Sequence, residues 1–157
     1  MKKILSILLL LISVSSFSNE KNEKLDLYDL GSELSRCAGD YEFASMMYKQ
    51  AFKNPSMSKL LKERSNGWFV AGIANYYFSG LTSQASKVSA AGKKETKITK
   101  WITELEYMDK TDTKALEVIM KDLNSQIKYC SSWDDMVVLS QKMWTKEWHS
   151  KPEIEDF

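Results

Sequence analysis

From Leu25 onward the apolar residues recur in steps of three and four: Leu27, Leu30, Leu34, Cys37, Tyr41, Ala44, Tyr48 and Ala51. A helix with 3.6 residues per turn brings such positions to one face. Gly39 falls inside the run and costs about 1 kcal/mol in a helix interior. The segment therefore reads either as one long helix or as a helical hairpin turning near Ala38 to Asp40. Asn54-Pro55 closes it, since asparagine caps a following helix and proline suits its first turn. The pattern resumes from Met57 to about Ala91 through Leu60, Leu61, Trp68, Ala71, Ala74, Phe78, Leu81, Ala85 and Val88. Small residues are interleaved there, among them Gly67, Gly72 and Gly80, and they would let a neighbouring helix approach closely.

A short helical stretch is expected around Ile98, Trp101, Ile102, Leu105 and Met108. Asp112 is placed to cap another helix, carrying Leu116, Ile119, Met120, Leu123, Ile127 and Cys130. Ser132-Trp133-Asp134-Asp135 has the form of a capping box opening a last helix with Met136, Val137, Leu139, Met143 and Trp144. No stretch sustains a period of two, and the turn pairs that announce hairpins are absent. The pattern predicts an all-α fold over residues 25–148, a single bundle or stack of helical hairpins with four to six helices.

The first eighteen residues do not belong to that pattern. Lys2 and Lys3 precede an apolar run from Ile4 to Val14, and small residues follow at Ser16 and Ser18. These are the zones of a secretory signal peptide, with cleavage expected after Ser18. The run is short of the roughly 20 apolar residues that cross a bilayer, and no cysteine follows it to carry a lipid anchor. Residues 19–24 read as a flexible lead and 149–157 as a charged tail. The expected mature protein is soluble and exported, to the periplasm or beyond, because the leader looks bacterial.

Export changes the meaning of the cysteines. There are two, Cys37 and Cys130, and an oxidising compartment favours their pairing as a disulfide. Closing a loop of about 94 residues is worth roughly 4 to 5 kcal/mol in the chain-entropy description. The bridge would tie the first helix to the end of the penultimate one. Free buried thiols, or one reactive thiol, are the competing reading.

The stretch Gly39-Asp40-Tyr41-Glu42-Phe43-Ala44, continued by Tyr48, Ala51, Asn54 and Pro55, resembles the second helix of a tetratricopeptide repeat. Trp68, Gly72, Gly80 and Ala85 resemble a looser second copy, and no third copy follows Gly92. Cys37-Ala38-Gly39-Asp40-Tyr41 is also similar to the Cys-Ala-x-x-Tyr motif of small secreted all-helical proteins of bacteria and phages. That resemblance implies a leader followed by helices, and no activity.

Composition narrows the chemistry further. With 22 basic and 21 acidic side chains, the chain offers no overall charge for nucleic acid or an anionic membrane. One histidine and two cysteines fall short of a zinc ligand set once the cysteines pair. Asp109-Lys110-Thr111-Asp112 with Glu117 lacks the alternating ligands and central glycine of a calcium loop. His149 stands at the start of the charged tail, Gly-x-Ser-x-Gly is absent, and Gly92-Lys93-Lys94 lacks the rest of a phosphate loop. Glu104 and Glu106 do not face each other on a helix, and Asp134 and Asp135 suit a first turn. No catalytic, cofactor or metal residues are therefore assigned.

Two surfaces remain. Lys93, Lys94, Lys97 and Lys100 form a basic stripe at helical spacing, read as a solvated face or as a contact for anionic headgroups. Tyr76, Tyr77, Trp144 and Trp148 form the candidate interaction surface, since large aromatic residues serve both cores and binding sites. The functional expectation is an exported helical protein that binds another envelope or extracellular protein, or itself, without covalent chemistry. The alternatives are a small or lipid-like ligand held between helices, and a hydrolase built on dispersed carboxylates.

Overall fold

The computed structural model describes residues 26–108 and 113–148. The expected leader over residues 1–18, the expected 19–24 lead, the expected cap Asp112 and the 149–157 stretch with His149 lie outside them. The described residues form five helices and no strand: α1 Leu27–Gln50, α2 Pro55–Phe78, α3 Ser83–Glu106, α4 Thr113–Ser131 and α5 Asp134–Trp148.

α1 is the single long helix of the two alternatives and runs through Gly39 without a turn. A Cβ added at Gly39 would stand 2.7 Å from the Lys94 carbonyl oxygen, so the glycine is what lets α3 lie against α1. Packing of this buried face outweighs the propensity cost of one glycine. Asp26 caps the helix, its Oδ1 accepting the Asp29 N–H at 2.8 Å. Asn54 caps α2 in the same way, accepting the Met57 N–H at 3.0 Å, with Pro55 in the first turn. Between α1 and α2, Lys53 adopts φ 52°, a left-handed conformation unusual for a side-chain-bearing residue.

The expected continuous segment from Met57 to Ala91 is two helices. α2 stops at Phe78, and the chain reverses through Gly80, whose φ of 107° suits glycine alone. Thr82 then caps α3, its hydroxyl accepting the Ala85 N–H at 3.2 Å. The apolar period crosses this turn because both helices bury a face. The stretch expected around Ile98 to Met108 is the second half of α3 and the turn after it. The capping box at Ser132 also fails to form. Its hydroxyl turns back to donate to the Tyr129 carbonyl at 2.6 Å, within a two-residue joint from α4 to α5.

α1 is the central helix, touching α2, α3 and α4, while α2 also touches α3 and α5. Leu34, Ala38, Tyr41, Phe43 and Ala44 of α1 pack with Trp68, Trp101, Leu123 and Val137 in the main core. The small residues do allow close approach. A Cβ at Gly31 would meet the Gly72 carbonyl oxygen at 3.1 Å, and one at Gly72 would run into the Ser35 hydroxyl. Cys37 and Cys130 form the disulfide, with Cα atoms 5.6 Å apart, and it ties α1 to the end of α4. Polar bonds hold α5 on α2: Asn75 Nδ2 donates to Ser140 Oγ at 2.7 Å, and Gln141 Nε2 to the Gly67 carbonyl at 2.9 Å. None of the described helices is long and apolar enough to cross a membrane.

Candidate functional site

The densest polar constellation starts from two acids of α1. Asp40 follows Cys37 by three residues, so it shares the buried face of the helix. It is about 1 % exposed, with α3 above it. Trp101 Nε1 donates to Asp40 Oδ1 at 2.6 Å, and Lys97 Nζ lies 3.6 Å from the same oxygen. The other oxygen, Oδ2, faces the disulfide at 3.8 Å from Cys130 Sγ. A bridged sulfur carries no hydrogen, so this is a contact and not a hydrogen bond. Burial pushes the Asp40 carboxyl above its ordinary value near 3.8, against the pull of the Trp101 N–H and of Lys97 and Lys100.

Glu42 leaves the opposite side of α1 and meets more partners. Lys62 Nζ donates to its Oε1, and Lys94 Nζ stands 3.2 Å from Oε2. The Ser65 hydroxyl is 3.0 Å from Oε2 and 2.8 Å from the Ala38 carbonyl, with one proton to share between them. Burial acts to raise this carboxyl too, but Lys62, Lys94 and Ser65 together bring it below its ordinary value near 4.5. Glu42 borders an open groove of about 350 Å³ whose walls include Met46, Phe69, Ala91, Lys94 and Ile98. The Lys94 ammonium lies 5.1 Å from the centre of the Phe69 ring.

These contacts dismantle the basic stripe. Lys94 and Lys97 turn inward to Glu42 and Asp40, each with its side chain 16 % exposed. Lys97 also donates to Gln126 Oε1 on α4 at 3.2 Å. Lys100 pairs with Glu104 at 3.6 Å, and Lys93 is exposed. Two of the four charges are thus neutralised inside the fold, because α1 presents acids where α3 presents lysines.

The candidate aromatic surface needs the same correction. Tyr76 is fully buried and Trp144 is 7 % exposed, while Tyr77 is half-buried. The structure does bring them together, but as a second core cluster with Ile73, Ala74 and Ala90. Tyr76 meets Tyr28 of α1 edge to face at 4.9 Å, and Tyr77 meets Trp144 of α5 at 5.6 Å. Adjacent helix positions point about 100° apart, and α2 is covered on both of those sides. The Trp148 side chain lies outside the described residues. Of the acids weighed above, Asp134 binds Arg64 at 2.8 Å, and Glu106 and Asp135 are exposed.

Two features escaped the reading of the sequence. One is Asp40, although Cys37-x-x-Asp40 places an acid within an apolar stripe, which was a signal. The other is the end of the bundle where α1 turns into α2, with its exposed apolar side chains. Phe52, Met57 and Leu60 are 47, 37 and 55 % exposed there. Leu60-Leu61 hinted at it, since only one of two neighbours can face the core, and Leu61 does. No family model matches the chain, and no curated protein or solved structure is significantly similar to it.

Proposed function

We propose that this chain is exported and acts by binding a partner protein of the envelope or the extracellular space through the exposed apolar side chains where α1 turns into α2. The observation that supports this most is the exposure of Phe52, in the turn after α1, and of Met57 and Leu60, in the first two turns of α2. Asn54 ties that turn from both sides, its N–H donating to the Tyr48 carbonyl at 2.8 Å and its Oδ1 accepting from Met57. Phe52 also leans on Tyr48, with ring centres 5.3 Å apart. Large apolar side chains already ordered in the free protein lose little entropy on association, which is how aromatic anchors come to dominate interfaces. The leader-like start and the bridged cysteines support export, since disulfides persist in oxidising compartments.

The test places a photo-crosslinking residue at position 52, 60 or 88 of the full-length protein, expressed with its own leader in its native host. Positions 52 and 60 should give one discrete adduct, lost on Met57→Asp. Position 88, on the exposed face of α3, should give none. No adduct from 52 and 60, or the same adduct from 88, overturns the surface. The intact mass without reducing agent should begin at Asn19 and be two hydrogens light; retention of Ile4 to Val14 overturns export.

A further inference from the structure

We propose that Cys37, Cys130 and Asp40 form a site for a thiophilic divalent cation of the zinc type when the bridge is reduced. The inference is independent of the surface reading. The two sulfurs, bonded to each other in the bridge, have an Asp40 oxygen within 4.8 Å of both, and all three residues are buried, so reduction would leave two thiols beside a carboxylate. Tetrahedral zinc, with sulfur at about 2.3 Å and oxygen at about 2.0 Å, sets those two donors about 3.5 Å apart. Asp40 Oδ2 already stands 3.8 Å from Cys130 Sγ. Its partner oxygen Oδ1 is the one committed to Trp101 and Lys97. The carboxylate is therefore aimed by a neighbouring donor, as outer-shell groups aim metal ligands.

Charge also closes. Two thiolates and a carboxylate carry three negative charges, and a divalent ion with the Lys97 ammonium 3.6 Å from Asp40 supplies three positive ones. Reduction by a dithiol gives two Cys–SH groups and the reductant's own disulfide. The ion then displaces the two thiol protons. The disulfide and the ion are thus alternative closures between α1 and α4.

The experiment uses the mature protein, opened with a phosphine that takes up oxygen from water as the sulfurs take up the electrons and protons. Cobalt(II) is titrated in without oxygen. One equivalent should bring thiolate-to-cobalt charge-transfer absorption, and zinc should abolish it. Asp40→Asn should weaken binding by about tenfold or more. Thermal unfolding of the reduced protein should shift upward with zinc, in the wild type more than in Asp40→Asn. That second measurement covers a reduced chain that is partly unfolded, since an ion held only by unfolded cysteines cannot raise the midpoint. Absence of the charge-transfer bands, equal affinity in Asp40→Asn, or no upward shift with zinc overturns the proposal.

Discussion

Asp40 and Glu42 sit two residues apart on α1 and so point to nearly opposite sides of the helix. Asp40 lies under α3 against the disulfide, with one short hydrogen bond and one longer ion pair. Glu42 stands at a groove edge with two lysines and a serine hydroxyl around it. Burial acts on both in the same sense. The number and charge of the donors differ, and the two carboxyl groups move in opposite directions from their ordinary values. The comparison teaches that an acid on the central helix of this bundle is tuned by its burial and by what the opposing helices offer, not by its own helix.

The largest expected effect removes the wall behind Asp40. Cys37→Ser with Cys130→Ser should lower the unfolding free energy by about 4 to 5 kcal/mol, read by urea denaturation. If Glu42 belongs to a separate environment, its Lys94 pairing should survive in the folded fraction, visible as an unchanged effect of Glu42→Gln in that background. Gly39→Ala comes next, since its Cβ would meet the Lys94 carbonyl and the Lys97 side chain. Overpacking there should cost about 1 to 3 kcal/mol. Because α3 carries partners of both acids, this substitution should disturb the two sites together, and loss at only one would break the picture of a shared opposing helix.

Glu42→Gln removes a charge from three partners and should cost about 1 to 2 kcal/mol at neutral pH. A lowered carboxyl contributes stability above its unfolded value near 4.5 and loses it as the pH falls through its folded value. The gap between wild type and Glu42→Gln should therefore close on acidification. Asp40 has the opposite sign. Its native state holds the proton longer, so stability falls as the pH rises from 3.8 through the folded value. The stability of wild type relative to Asp40→Asn should decline over that window. Parallel pH profiles for the two variants would end the comparison.

Much of this was legible before the tertiary structure. The three-and-four spacing of Leu30, Leu34, Cys37, Tyr41 and Ala44 placed the buried face of α1, and Asn54-Pro55 marked the start of α2. Periodicity could not separate α2 from α3, because apolar steps carried on through Phe78, Leu81 and Ala85 across the turn. The single residue that decides the break, Gly80, looked like one more small residue at a helix contact. Lys94 and Lys97 misled for a related reason. A charge run reads as a solvated face unless the acids it meets can be seen, and those acids lie more than fifty residues earlier.

The sequence by itself determined the helical class, the cap at Asn54, the pairing partners available to Cys37 and the lack of a charge excess, because each depends on neighbours within a few residues or on a count. Only the tertiary structure decided that Tyr76 and Trp144 are interior and Tyr77 half-buried, that Asp40 faces the bridge and that Phe52, Met57 and Leu60 remain in water. Which side of an amphipathic helix is covered depends on how many other helices reach it, and local periodicity carries no information about that number.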